Sequence, residues 1–259
     1  MLNPRVPRIR RNAGITLMEV LVVVAIILVL AVITVPVIQA IKKKAYQAKA
    51  MKLMQNLGVA AGAYTADNNG QLPKEDASGK DSWASAQDPA NADAWYNVLP
   101  KKYMGSRSVA EFANDAKAFY TEANPLFVPG AEYPDTDKKL RAPLFAIAIN
   151  SKLQRKNEAG DKPPLRMANI TAPSQTVLFL EQGLPSEKKT FAVQSKYDGK
   201  PKGTAKTFIG RYSGLGVLTF VDGHAELVDP KDTLEENGQF PFPPDGIIWC
   251  KTPEENPNE

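Results

Sequence analysis

The sequence has little cysteine and little histidine, two residue types that build many chemical sites in proteins. Among 259 residues there is one cysteine, Cys250, and one histidine, His224. A single cysteine excludes an internal disulfide and a zinc site made of several thiolates. No nucleophile-elbow or phosphate-loop pattern is present either. These absences argue against an enzyme, and we expect no catalytic activity.

The main body of the chain also lacks a net charge. The formal net charge is +4, but Arg5, Arg8, Arg10 and Arg11 all precede Gly14 in a segment without acids. Removing these four from the 32 basic residues leaves 28, which equals the number of acidic residues, 28. A basic footprint for nucleic acid is therefore missing, and we do not expect nucleic acid as a partner.

One long apolar run lies near the start of the chain. From Val20 to Ile41 no residue is charged, and about 20 apolar residues span a bilayer core. An ordinary anchor and a secretory signal are the simple alternatives. The apolar region of a secretory signal is shorter, at about 7–15 residues, and ends at a small-x-small cleavage site that this run lacks. We therefore predict one transmembrane helix over about residues 20–41.

The residues at the edge of this run form a recognisable motif. Gly14-Ile15-Thr16-Leu17-Met18-Glu19 resembles the Gly-Phe-Thr-Leu-Ile-Glu motif of type IV prepilins and type II secretion pseudopilins. The resemblance implies that residues 1–14 are a basic leader, and that a prepilin peptidase cuts after Gly14 and N-methylates Ile15. Ile15 stands where the family usually has phenylalanine. Glu19 falls at the fifth mature position and Pro36 at the twenty-second, as in many members of the family.

Glu19 and Pro36 each carry an expectation about assembly. An unpaired charge inside a membrane costs at least about 2.5 kcal/mol, whereas a glutamate at headgroup level costs little. The resemblance implies that Glu19 pairs with the Ile15 amine of a neighbouring subunit and sets its axial register. Pro36 has no amide hydrogen, so we expect a kink or a melted turn at that position.

The helix is predicted to continue beyond the membrane and to pack on a head. Apolar residues recur there at helical spacing: Ala50, Leu53, Met54, Leu57, Ala60, Ala61 and Tyr64. Gly70, followed by Pro73, predicts the end of the helix. The predicted organisation is therefore a leader (1–14), a long helix that is transmembrane and then amphipathic (15–70), and a globular β-rich head (71–259). A polar loop insertion is predicted at about residues 74–94.

The clearest local structure of the head is a β-hairpin. Val217–Val221 and His224–Val228 flank Asp222-Gly223, a pair that favours a type I′ turn. Further strands are predicted at Leu144–Ile149, Thr176–Leu180 and Ile247–Trp249, and a short surface helix at Val109–Tyr120. The predicted fold class is α+β and pilin-like, with a long N-terminal transmembrane helix packed on a C-terminal antiparallel β-sheet head.

Several stretches of the head resemble large bacterial pseudopilins of planctomycete and verrucomicrobial type. They are Trp95–Pro100, Ala148–Leu153 and Ile170–Glu181, while Tyr64–Pro73 resembles the helix end of major pseudopilins. Many of these large proteins have a His-x9-Asp-Gly signature. Asp222 and Gly223 match it, but Tyr212 occupies the position of the histidine, so no role of that histidine carries over.

The candidates for a metal site are weak. His224 and Glu226 would share one strand face and could form a chelating pair, but a lone histidine beside a turn is more simply a hairpin side chain. Pseudopilins of the major class often hold calcium through carboxylates and carbonyls. Candidate oxygen ligands here have no recognisable ligand spacing: Asp67, Asn69, Asp135, Asp137, Asp198 and Asp222. We predict no metal site and no cofactor, leave calcium open, and name no ligands for it.

Together these features predict a structural subunit of a type II secretion-like pseudopilus. It would be processed by prepilin peptidase and assembled into a helical filament that supports protein export. The alternative within the family is a type IV pilus pilin, major or minor, for adhesion, motility or DNA uptake. Outside that class stand an anchored enzyme or metal-binding domain and a DNA- or surface-binding minor subunit.

The same resemblance implies partners and a location. The partners are prepilin peptidase, other pilin or pseudopilin subunits in a homo-oligomeric filament, and an inner-membrane assembly platform. The chain would be single-pass in the inner membrane, with its head on the periplasmic side, before it enters a pseudopilus or pilus. Charge alone does not decide this orientation, because four arginines precede the span and Lys42, Lys43 and Lys44 follow it directly, so the positive charges on its two sides nearly balance.

Overall fold

The structure is a computed structural model that describes residues 15–75, 82–135, 141–154 and 165–259. The leader and Gly14 lie outside the described residues. The chain divides into two units, one that extends to Lys43 and one from Lys44 to Glu259. The second unit holds the rest of the long helix and the whole of the sheet.

The first element, α1, is a single helix from Leu17 to Asp67. Its end is built by two residues with positive φ, Asn69 (53°) and Gly70 (76°). The Gly70 N–H donates to the carbonyl oxygen of Thr65 over 2.9 Å, the long-range bond of a Schellman ending. The predicted stop near Gly70 is thus confirmed, and asparagine occupies the first left-handed position.

The remaining elements are short. The other α-helices are α2 (Trp83–Ala86), α3 (Trp95–Val98) and α4 (Ala116–Phe119), and α3 continues into a π-helical turn at Leu99–Tyr103. Single 3-10 turns lie at Pro89–Asn91, Val109–Phe112, Met167–Asn169, Ala205–Thr207 and Pro230–Thr233. The strands are β1 (Ile147–Asn150), β2 (Val177–Glu181), β3 (Lys202–Gly203), β4 (Gly216–Phe220) and β5 (Ala225–Val228).

The five strands form one sheet in the order β3-β1-β2-β4-β5. Three of the pairings are antiparallel, but β1 and β3 run parallel. The α+β class is confirmed, and the predicted antiparallel sheet needs one correction, since the pairing of β1 with β3 is parallel. The reason is the position of β3: the chain reverses direction from β1 to β2 and again from β2 to β3, and β3 then lies on the far side of β1, parallel to it.

The hairpin of β4 and β5 is confirmed, but its predicted turn type is wrong. A type I′ turn needs positive φ at both central residues, and of Asp222 and Gly223 only Gly223 has it (93°). The Gly223 N–H donates to Phe220 O, and the Phe220 N–H donates to His224 O. Val221 leaves the ladder because its N–H donates to Thr176 O. The result is a three-residue loop with glycine at its last position.

The sheet is buried on both faces. On β1, Ile147 and Ile149 face the cluster that contains α1, while Ala148 faces the opposite cluster with Phe240 and Trp249. A register irregularity between Val177 and Phe179 interrupts this alternation on β2, so that Leu178 and Phe179 both join the α1 cluster. The head therefore has three layers, with the sheet in the middle.

The C-terminal half of α1 packs on the first of these faces. Every residue of the predicted stripe is buried except Leu53, which is half-buried. The Thr219 hydroxyl of β4 donates to the carbonyl oxygen of Met54 over 3.1 Å. At Gly58 the helix approaches the hairpin so closely that a Cβ there would lie 2.5 Å from Gly223 O. The predicted packing of the helix on the sheet is confirmed within this unit.

Three local predictions need correction. The described parts of the predicted loop at 74–94 contain α2 and a 3-10 turn, and residues 76–81 lie outside the described chain. The predicted surface helix at 109–120 is instead a 3-10 turn followed by α4, and Phe112 and Phe119 are buried in the core. Ile248 makes only one bridge, to Thr176, where a strand was predicted.

Candidate functional site: the processing and assembly segment

The start of α1 is capped by two side chains, those of Thr16 and Glu19, each of which bonds the backbone of the other. The Thr16 hydroxyl accepts a hydrogen bond from the Glu19 N–H over 3.3 Å, and the Glu19 carboxylate accepts one from the Thr16 N–H over 2.8 Å. This is a capping box, in which two otherwise unpaired helix donors are satisfied. A carboxylate in the first turn is also stabilised by the helix dipole. Glu19 therefore has a role within its own subunit that the sequence interpretation missed.

Only one oxygen of Glu19 is used by this cap. Oε2 accepts from both the amide and the hydroxyl of Thr16, over 2.8 and 3.0 Å. Within the part of the chain that the structure describes, no group donates a hydrogen bond to Oε1 of Glu19. Thr16 also follows the bond between Gly14 and Ile15, so cleavage there would leave both partners of the cap in place. The capped carboxylate thus retains an acceptor for a group outside the subunit.

The first part of α1, residues 17–41, is exposed apolar helix. Every described side chain from Leu17 to Ile41 is exposed, and nearly all of them are apolar. In the described residues α1 is the one helix long and apolar enough to cross a membrane. Exposed apolar surface on this scale requires a covering of lipid or of other helices.

Pro36 lies within this apolar segment. The helix is continuous from Leu17 to Asp67, so no turn is melted at Pro36, and the expected kink stays a prediction. Proline has no N–H to donate to the carbonyl four residues earlier, which belongs to Val32. Two residues before the proline, the Thr34 hydroxyl donates to Leu30 O over 2.6 Å. A threonine that bonds backward in this way satisfies its hydroxyl inside an apolar environment.

Comparison with known families identifies this segment. Residues 9–35 match the family model of the prokaryotic N-terminal methylation motif. The chain therefore carries the prepilin-type leader of type IV pilins and pseudopilins. The comparisons with curated proteins and with solved structures find no match.

The prepilin-type leader has three direct implications. It implies processing by prepilin peptidase and assembly with other pilin-type subunits. Together with the apolar helix, it indicates a membrane-anchored protein. It also marks a structural type of protein that is usually not enzymatic. The planctomycete and verrucomicrobial resemblance of the head stays a prediction.

The candidate metal ligands are not brought together. No group of three or more histidine, cysteine, aspartate or glutamate side chains with metal-site geometry occurs among the described residues. The His224 ring stacks on Phe220 and its Nδ1 lies 2.6 Å from the Asp222 carboxylate. Asp67 accepts a hydrogen bond from the Tyr103 hydroxyl, and Asp137 lies outside the described chain.

A buried charged cluster lies at the end of β2, where no site was predicted. We call it the Arg211 cluster, and it consists of Glu181, Glu187, Arg211 and Tyr212. The Arg211 side chain is 3% exposed and donates to both carboxylate oxygens of Glu187, over 2.7 and 2.6 Å. Its Nη1 lies 3.7 Å from Glu181 Oε1, an ion-pair distance without a hydrogen bond. The cluster joins β2 to the loops on either side of it.

Burial shapes the titration of this cluster. Burial raises the pKa of Glu181, although the nearby Arg211 guanidinium acts in the opposite direction. The Val217 N–H donates to one oxygen of Glu181, and the Tyr212 hydroxyl lies 3.0 Å from the other. Burial and the Glu181 charge together raise the pKa of Tyr212. Tyr212, the departure from the histidine signature, therefore acts as a buried hydrogen-bonding group.

Proposed function

We propose that this chain is a structural subunit of a type II secretion-like pseudopilus. One observation carries the proposal: the exposed apolar segment of α1, residues 17–41, begins at a capped glutamate inside a prepilin-type methylation motif. Such a chain would be stored in the inner membrane with its head on the periplasmic side. It would then enter a filament by way of an assembly platform. No catalytic step and no cofactor are part of this proposal.

The exposed apolar segment explains how one helix can lie both in the membrane and in a filament. Lipid tails cover it in the membrane, and the same segments of neighbouring copies cover it in a filament. Lipid tails and leucine side chains are equally apolar, so transfer of the helix from lipid into a filament has little hydrophobic driving force. Packing between the helices therefore determines whether they associate. A helix that is apolar on all sides suits this exchange because any side can face a neighbouring copy.

Glu19 supplies the register that apolar packing lacks. Its Oε2 is held by Thr16, while Oε1 is available to the Ile15 amine of a neighbouring copy. The cap fixes the carboxylate before assembly, which lowers the entropy lost when the pair forms. A buried charge pair of this kind favours one axial position, since any other position leaves a charge unpaired among apolar side chains.

The pseudopilus is favoured over the pilus by the C-terminal end of α1. The segment Asp67-Asn68-Asn69-Gly70 resembles the helix end of major pseudopilins, and the structure uses Asn69 and Gly70 to stop the helix. The single cysteine also leaves no disulfide in the head. Both features support the pseudopilus hypothesis.

We expect the native protein to begin at an N-methylated Ile15. Mass spectrometry of the protein isolated from its own membranes should show loss of the 14 leader residues and one added methyl group. A matched sample from cells without the prepilin peptidase should retain Met1. An intact Met1 in the wild-type sample, or an N-terminus beyond Val35, would contradict the proposed processing.

The two roles of Glu19 can be separated with matched variants. Glu19→Gln keeps an acceptor for the cap but loses the charge, whereas Thr16→Val keeps the charge and loses the cap hydroxyl. If charge pairing sets the register, Glu19→Gln should abolish filaments in shear fractions as completely as Glu19→Ala does. Thr16→Val should cost about 1 kcal/mol of helix stability and leave some filaments. Normal filaments from Glu19→Gln would show that the charge is not needed.

A further inference from the structure

The two edges of the sheet differ in the charge of the residues that flank them. The first edge is β3 with its neighbouring segment, which we call the basic edge. Its charged residues are Lys196, Asp198, Lys200, Lys202 and Lys206. Lys196 and Lys206 are exposed, and the other two lysines are partly exposed. The Ser195 N–H donates to Lys206 O over 2.9 Å, which holds the two parts of this edge together.

The opposite edge is β5 with its turn and the 3-10 turn after it, which we call the acidic edge. Its ionisable residues are Asp222, His224, Glu226, Asp229, Lys231 and Asp232. Asp222, Glu226 and Asp232 are exposed, and Asp229 is partly exposed. Four acids to one lysine on this edge mirror the four lysines to one acid on the other. Because β3 and β5 are the first and last strands in the sheet order, the opposite charges lie at opposite sides of the head.

Most of these charges are not neutralised within the subunit. On the basic edge Lys200 has an ion pair with Asp198 at 3.6 Å, and on the acidic edge His224 contacts Asp222. Across the described ranges of the chain, no ion pair involves Lys202 or Lys206, nor does one involve Glu226 or Asp232. Each edge therefore presents a net charge of one sign to its surroundings.

We propose that the basic edge of one copy of this chain contacts the acidic edge of the next copy. The inference rests on the proposed function, since it names the contact between the heads in a filament. Contact between identical edges would place like charges together, which costs several kcal/mol. Opposite edges instead give a head-to-tail contact, and such a contact generates an open helical array when its rotation does not close.

The charges contribute orientation more than binding strength. An exposed ion pair is worth about 0–1 kcal/mol, so the apolar helices supply most of the association. Charge complementarity selects the correct partner surface and suppresses wrong ones. Charged edge strands also prevent unwanted strand pairing, but lysines on both edges would serve that purpose equally well. The segregation of opposite signs is the feature that points to a contact between copies.

Charge reversal of full-length chains tests the contact. One chain carries Lys202→Glu and Lys206→Glu, which makes both of its edges acidic. A second chain carries Glu226→Lys and Asp232→Lys, which makes both edges basic. Each alone, made with prepilin peptidase and the assembly platform, should give about tenfold fewer filaments than wild type or less. Made together, the two chains should restore the yield, because acidic and basic copies can alternate.

Two controls make the result specific. A chain with all four substitutions exchanges the signs of its edges and should assemble like wild type. Lys102→Glu reverses an exposed lysine outside both edges and should have no effect. Thermal unfolding of each variant verifies that the head is folded.

The outcomes separate this contact from the proposed function. If wild type forms filaments and both double variants form them equally well, the edge contact is wrong and the filament function stands. If the double variants fail but neither the mixture nor the fourfold variant restores assembly, the edges do not contact each other. If correctly processed wild type forms no filaments at all, the proposed function itself is wrong, and the edge contact with it.

Discussion

Replacement of Arg211 by alanine should lower the free energy of unfolding by about 3–5 kcal/mol, because it leaves buried carboxylates without their cation. Arg211 is the one cation within ion-pair distance of Glu181 and Glu187 in the described chain, and Glu187 takes two hydrogen bonds from it. Urea unfolding of the full-length protein in detergent, followed by circular dichroism, measures the loss. Arg211→Lys should recover only part of it, since an ammonium cannot form the bidentate pair.

The pH dependence of this variant has a definite sign. Burial already raises the pKa of Glu181 above its ordinary 4.5, and Arg211 opposes that shift. Without Arg211 the folded-state pKa rises further, so the folded chain binds the proton more tightly than the unfolded chain does. Stability is then highest below about pH 4.5 and is lost as the pH rises through the folded-state pKa. The deficit relative to wild type should therefore grow between pH 4.5 and 7.

The matched control is the exposed ion pair of Lys49 and Glu122, whose atoms lie 2.9 Å apart. Its side chains are 58% and 73% exposed, and such pairs contribute about 0–1 kcal/mol. Lys49→Ala should therefore change the stability little. A loss from Arg211→Ala no larger than that from Lys49→Ala would mean that the cluster is solvated in solution.

Substitution of alanine at two glycines of α1 should move the stability in opposite directions. Gly58 and Gly62 both lie within the helix, where alanine is favoured over glycine by about 1 kcal/mol. A Cβ on Gly62 would meet nothing within 4 Å, so Gly62→Ala should stabilise the protein by nearly that amount. A Cβ on Gly58 would lie 2.5 Å from Gly223 O and 2.9 Å from the Thr219 side chain.

The Gly58 clash involves backbone, so it cannot be relieved by a rotamer change. Overpacking of this kind costs about 1–3 kcal/mol, which outweighs the gain in helix propensity. Gly58→Ala should therefore be less stable than wild type in thermal unfolding, while Gly62→Ala should be more stable. A stabilising Gly58→Ala would show that α1 does not rest on the hairpin turn in solution.

The elements that the sequence predicts well are those encoded by local periodicity. The stripe from Ala50 to Tyr64, the stop at Gly70 and the hairpin around Gly223 each depend on residues that are close in the chain. The capping box of Thr16 and Glu19 was predictable for the same reason, because Thr-x-x-Glu ahead of an apolar run is its local signature. The same residues also belong to the processing motif, so one stretch of sequence encodes both features.

The features that the sequence does not predict depend on distant partners. β3 has two residues and no apolar pattern, so its parallel pairing with β1 is decided by tertiary contacts, such as the bond from Trp95 Nε1 to Pro201 O. The turn at Asp222 differs from the predicted type because the N–H of Val221 donates to the carbonyl oxygen of Thr176, 45 residues away in the chain. Glu181, Glu187 and Arg211 resemble ordinary surface charges until the fold buries them together.

The hydrogen bond from Thr219 to Met54 also has a consequence for the order of events during synthesis. Its two residues are 165 positions apart, and ribosomes add about 5–20 residues each second. Roughly 8–33 s therefore separate the synthesis of Met54 in α1 from that of Thr219 in β4, the strand on which this part of the helix packs. During that interval the apolar stripe of α1 lacks its final cover, so a nascent subunit held at the membrane is exposed to premature association with other helices. At that stage a chaperone or the translocation machinery would protect the uncovered apolar stripe of α1 from contact with other helices.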